Sequence, residues 1–163
     1  MAAVQPQAGI DIFERILAAS GGLVALACGD VAQLVEQFRA IARHTGQSVY
    51  LWREAEGLAS LRDAGLRVPD CQRLDQALRY MQQSMHFGVY LLDGISLPLS
   101  PADAALLRQL ARQRGSRPRR IVLLNAPEAL LDYLGPRVGR LDDAPPRFPR
   151  PRLRDGRWLV QGS

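Results

Sequence analysis

The sequence predicts an α/β domain in three layers, with a mostly parallel sheet covered by helices on both faces. Two observations predict it. Phe87-Gly-Val-Tyr-Leu-Leu-Asp-Gly94 is a near-continuous apolar run that ends in an acid and a glycine, with helical patterns at Leu74 to Met85 before it and Ser100 to Arg112 after it. A run of that kind between helices reads as a strand buried on both faces, in the middle of a parallel sheet. The second observation is order: strands and helices alternate along the chain, which calls for right-handed crossovers between parallel strands.

The elements follow in sequence. Residues 1–8 are small and polar and read as a frayed end. From Gly9, the spacing of Ile10, Phe13, Ile16 and Leu17 describes a short amphipathic helix stopped by Ser20-Gly21-Gly22. A first strand spans residues 23–28 and turns through Gly29-Asp30 into a helix with Val31, Leu34, Val35, Phe38 and Ile41 on one face. Asp30 is placed to cap it. A second strand is expected at 48–52, rich in β-branched and aromatic residues. Residues 56–65 suggest a short helix, and Val68-Pro69 an extended link.

Asp70 precedes a helix whose buried positions are Leu74, Ala77, Leu78, Met81 and Met85. The central strand covers 87–92. Ser100-Pro101-Ala-Asp103 then starts another helix, with an N-cap serine, a proline in the first turn and an acid behind it. A fourth strand at 120–124 ends at Asn125, and Pro127 to Leu134 reads as a short helix closed by Gly135. The α/β domain is expected to span 9–136. Residues 137–163 then form an extended tail of arginine and proline, with Asp155-Gly156 between alternating residues signalling a β-hairpin.

Composition excludes several chemistries. All 21 basic residues are arginine, so there is no Schiff-base lysine, no phosphate-binding lysine and no lysine base. The net charge of +5 is unevenly placed, because seven of the arginines lie between Arg137 and Arg157. The rest of the chain is close to neutral, which argues against a nucleic-acid face on the globular part. Cys28 and Cys71 lack CxxC spacing, and Cys28 reads as a buried thiol. His44 and His86 stand near helix ends, and no HxxxH, HExxH or GxSxG occurs, so neither a metal nor a hydrolytic nucleophile is expected. No basic-then-apolar leader and no 18-residue apolar run is present, so a cytoplasmic protein without a membrane span is expected.

The candidate ligand edge consists of Asp30, Asp93 and Asn125, which all end strands and meet at the carboxyl edge, where open α/β sheets bind their ligands. The turn after the first strand is too short for GxxxxGK[ST], and Asp30 would fill the helix N-terminus with its own carboxylate. The three residues together resemble a response-regulator receiver. The departures are a single acid after the first strand, an asparagine in place of Ser or Thr, and no lysine. The plainer reading is that they cap helices and turns. In the tail, Arg147, Arg150, Arg152 and Trp158 are the candidate partner contacts, since arginine pairs carboxylates bidentately and tryptophan anchors interfaces.

Val89-Tyr-Leu-Leu-Asp93 is Walker B-like, and Ile121-Val-Leu-Leu-Asn125 is placed like a sensor asparagine. The chain thus resembles a P-loop-NTPase-like or Rossmann-like core that lacks a P-loop. More narrowly, Gln47-Ser-Val-Tyr-Leu-Trp-Arg53, Gln76-Ala-Leu-Arg-Tyr-Met81, Gly88-Val-Tyr-Leu-Leu-Asp93 and Ala105-Leu-Leu-Arg-Gln-Leu-Ala111 resemble one domain. That domain is the degenerate amino-terminal one of bacterial and chloroplast AAA-type ATPases, and the resemblance covers roughly residues 10–135. It implies a domain that does not hydrolyse nucleotide and serves contact or regulation in a bacterial assembly. The catalytic AAA module is not among these residues, so its activity is not carried over. The expectation is a non-enzymatic domain without cofactor that binds a protein partner or a second copy of itself. The alternative is a receiver-like or nucleotide-sensing module holding a small ligand at the carboxyl edge.

Overall fold

The computed structural model describes residues 6–19, 21–112, 119–142, 152–154 and 157–159. The elements are α1 (Pro6–Ala18), β1 (Leu23–Ala27), α2 (Val31–Thr45), β2 (Val49–Arg53), β3 (Gly57–Ser60), β4 (Arg67–Val68) and α3 (Leu74–Gln83). They continue with β5 (Gly88–Asp93), α4 (Pro101–Arg112), β6 (Arg119–Leu124), α5 (Glu128–Leu134), β7 (Gly139–Asp142), β8 (Arg152–Arg154) and β9 (Arg157–Leu159). Seven strands form one sheet in the order β4-β3-β2-β5-β6-β1-β7, and β8 and β9 form a separate pair. The four strands expected from the sequence lie side by side and parallel: Leu91 of β5 registers with Leu51 of β2 and Val122 of β6, and Leu124 of β6 with Leu26 of β1.

Why these strands occupy the centre follows from their two buried faces. Successive side chains of a strand point to opposite sides. On β5, Val89 and Leu91 enter one core with Ile12, Phe13 and Ile16 of α1 and Leu34, Val35 and Phe38 of α2. Tyr90 and Leu92 enter the other, with Ala77, Leu78 and Met81 of α3, Leu107 and Leu110 of α4, and Leu130 and Leu131 of α5. The architecture is therefore three layers, α1 and α2 on one face and α3, α4 and α5 on the other. Two aromatic pairs add directed packing: Phe13 meets Phe38 edge-on at 5.3 Å, and Tyr50 stacks on Tyr90 at 5.1 Å.

Three expectations are corrected. Residues 56–65 hold no helix; β3 and β4 extend the sheet antiparallel from β2, with Arg53 opposite Gly57 and Ala59 opposite Arg67. Positive φ at Ala55 (66°) and Gly57 (90°) folds the chain back on itself, so Gly57 to Ser60 pairs with β2. Leu58 and Leu61 keep a helix-like spacing yet enter opposite cores. The globular part also continues past residue 136. Val138 is buried, and β7 pairs parallel with β1 through Val24 opposite Gly139. An edge strand with a single large apolar residue, Leu141, leaves little periodicity to read. Finally, α1 begins at Pro6 rather than Gly9.

The hairpin signalled by Asp155-Gly156 is present as β8 and β9, paired antiparallel with Leu153 opposite Trp158 and Arg152 opposite Leu159. No helix among the described residues is long and apolar enough to cross a membrane.

Candidate functional site at the carboxyl edge of the sheet

Because β1, β6 and β5 are neighbours in the sheet, the residues that end them share one edge. β1 runs into Cys28-Gly29-Asp30. Asp30 has extended backbone (φ −125°), and its Oδ1 accepts from the Gln33 N–H at 3.0 Å, which caps α2. The anion that a helix N-terminus attracts is here the chain's own carboxylate.

Asn125 follows β6 in left-handed backbone, φ 50°, a region asparagine tolerates better than most residues. Its Nδ2 donates to the Cys28 carbonyl at 2.8 Å, and its Oδ1 accepts from the Cys28 N–H at 2.7 Å. Its own N–H donates to the Leu26 carbonyl at 2.9 Å. One side-chain amide thus takes both backbone groups of Cys28 and ties the end of β6 to the turn after β1. A serine or threonine hydroxyl here, as in a receiver, lacks the reach to serve donor and acceptor together.

Asp93 ends β5 and registers with Arg53 on one side and Leu124 on the other. Arg53 Nε donates to Asp93 Oδ2 at 2.9 Å, in a pair that is half-exposed. Arg53 was not singled out by sequence reasoning. The signal was available only in register: both residues close parallel neighbouring strands, so they stand side by side. The edge therefore gathers Asp30, Asp93 and Asn125, but each is bonded to a different element and none to another of the three. Among the described residues, no group of three or more His, Cys, Asp or Glu side chains is arranged to hold a metal ion.

A family model described as the SpoVK-like AAA ATPase, N-terminal domain, matches residues 10–134. The chain belongs to this family. The matched range begins in α1 and ends at the last residue of α5, so it takes in all three layers and leaves β7 and the hairpin outside. The Val89-Tyr-Leu-Leu-Asp93 run lies in β5, and the asparagine that follows β6 is the Asn125 clamp. Comparison with curated proteins found no match, and comparison with solved structures found none either.

Two buried groups, Cys71 and Tyr90 of β5, have shifted acidity. Burial, helped by the neighbouring Asp70 charge, pushes the Cys71 thiol up, and its carbonyl accepts from Trp52 Nε1 at 2.9 Å. Burial also raises the Tyr90 phenol, against a hydrogen bond to Ser84 that lowers it. Both cysteines are buried, and the raised thiol and the full burial of Cys71 suit a packing residue. Of the tail candidates, Arg147 and Arg150 lie outside the described residues, and Arg152 and Trp158 belong to β8 and β9.

Proposed function

We propose that this AAA ATPase N-terminal domain is a non-catalytic contact domain: it keeps the layered fold of a nucleotide-binding core, does not turn nucleotide over, and acts by binding protein in a bacterial cytoplasmic assembly. The observation that carries this reading is the way the carboxyl edge is used. Asp30 caps α2, Asn125 holds both backbone groups of Cys28, and Asp93 pairs with Arg53. All three side chains of that edge are engaged in holding the fold, and the chain has no lysine to meet a phosphate. The tail residues Arg147, Arg150, Arg152 and Trp158 supply chemistry suited to a partner's carboxylates and apolar pockets.

Calorimetry with ATP and GTP, with and without magnesium, and a phosphate-release assay test the reading. Weak or undetectable binding and no turnover are expected. Turnover abolished by Asp93→Ala would overturn it. A magnesium-dependent rise in Tm in the wild type, absent in Asp93→Asn, would instead favour a ligand-sensing edge.

A further inference from the structure

Between α2 and the antiparallel end of the sheet lies a pocket of about 240 Å³. Residues opposite each other on neighbouring strands share a face of the sheet. Arg53 of β2 stands opposite Gly57, and Arg67 of β4 opposite Ala59, so β3 sets two small residues between two arginines. Leu51, also opposite Ala59, belongs to the core under α1 and α2, which puts this group on the α2 side of the sheet. Arg39, from α2 itself, completes the arginine lining. Glu56 is the one acid among the lining residues.

Each of the three guanidinium groups has one nitrogen engaged and a fork of two nitrogens left over. Arg39 Nε donates to Glu36 at 3.4 Å and Arg53 Nε to Asp93 at 2.9 Å, so both keep the Nη1–Nη2 end. Arg67 Nη1 donates to the Glu56 carbonyl at 2.6 Å, which leaves the Nε–Nη2 edge. These are all the hydrogen bonds and ion pairs that the three side chains make. A fork of that kind matches two oxygens of a carboxylate or phosphate. Glu36 and Asp93 offset part of the charge of their partners, whereas Arg67 pairs with no carboxylate.

We infer that this pocket binds a small oxyanion carrying two or more charges, of the phosphoryl or polycarboxylate class. A single carboxylate is satisfied by one fork, while forks from α2, β2 and β4 suit an anion with several oxygens. The volume falls below the roughly 300–1,000 Å³ of pockets that enclose drug-sized ligands, so the pocket suits an anion smaller than a nucleotide. The site goes beyond the contact reading above. It shares only Arg53 with the carboxyl edge, and Arg53 can hold Asp93 through Nε and the anion through its other end.

Calorimetry on the full chain in low-salt, phosphate-free buffer tests this, with pyrophosphate and citrate as the probes. At least one should bind one to one, and the tighter of the two names the class. Arg39→Gln and Arg67→Gln should each weaken that binding at least tenfold. Glu56→Gln should tighten it, because it removes the acid from the lining. Thermal melts of each variant verify folding, and if one arginine variant unfolds the other carries the test. A wild type that binds neither probe overturns the inference. So does binding that survives both arginine substitutions, which would assign the anion to another surface. Loss of pyrophosphate or citrate binding leaves the nucleotide assay untouched, so the two readings fail separately.

Discussion

The carboxyl edge of the sheet and the α1–α2 face lie on the same domain and treat their side chains in opposite ways. At the edge, polar residues stand where an α/β sheet ordinarily meets a ligand, and each is bonded inward: Asp30 to the Gln33 amide, Asn125 to Cys28, Asp93 to Arg53. On the helical face, Ile10, Phe13, Leu17 and Ile41 line a groove that α1 and α2 leave open. Polar groups at such an edge are satisfied by a ligand, by water or by the fold itself, and here the fold supplies a partner to each of the three. Apolar side chains have no such internal remedy and remain available for association. A fold class therefore locates where ligands usually bind, while the state of each group decides whether that place is still open.

The contrast can be broken most severely at Asn125. Replacing it with alanine removes the partner of both backbone groups of Cys28 and leaves a left-handed backbone, φ 50°, without the residue type that tolerates it. A loss of about 3 kcal/mol is expected, combining lost hydrogen bonds with backbone strain, and is measured by denaturant unfolding. Asn125→Asp should fall between, since it keeps the acceptor and loses the donor. Unchanged stability would mean that the edge is held by something else and that the amide is free for a ligand.

On the other face the corresponding residue is Gly9. Gly9→Ala puts a methyl group 2.8 Å from Gln37 Cβ, an atom fixed to the α2 backbone, so the helices must separate. About 1–3 kcal/mol of destabilisation is expected from such overpacking, even though alanine is the better helix former. A gain in stability would mean that the crossing is loose and the groove not shaped as described. Next in size, Asp30→Ala removes the α2 cap at a cost of about 1 kcal/mol, with Asp30→Asn nearly neutral because the amide oxygen also caps. Both are read from melting curves.

How much of this was legible in the sequence follows from how each segment is buried. β1, β5 and β6 are covered on both faces, so they carry the apolar runs Leu23–Ala27, Val89–Leu92 and Ile121–Leu124, and the ends of the last two marked Asp93 and Asn125 without any structure. β3 escaped notice because Leu58 and Leu61 sit three apart, a helical spacing, while the strand sends them to opposite cores. β7 escaped because an exposed edge strand needs little apolar character. At the site, the positions were legible and the partners were not, since Arg53 and Asp93 are 40 residues apart and meet only through strand register. The groove was hidden for a similar reason. Ile10, Leu17 and Ile41 belong to ordinary amphipathic stripes, and periodicity does not reveal which part of a stripe a neighbour leaves uncovered. Gly9, inside a helix, was its one local mark.

The smallest expected effect on the isolated domain sharpens the comparison most. Ile10 is more than a third exposed, so Ile10→Arg should change stability by no more than about 0.5 kcal/mol when the protein is dilute. If a second copy is the partner and meets the groove, association stabilises the folded state by mass action, and the wild-type Tm rises with protein concentration. Ile10→Arg should flatten that rise while leaving the dilute Tm in place. Asp30→Asn, at the other face, should keep the full slope. A slope that survives Ile10→Arg would show that copies meet through another surface. A dilute Tm that falls steeply in Ile10→Arg would instead make Ile10 a core residue of the α1–α2 pair, and the groove a packing defect rather than a surface held open.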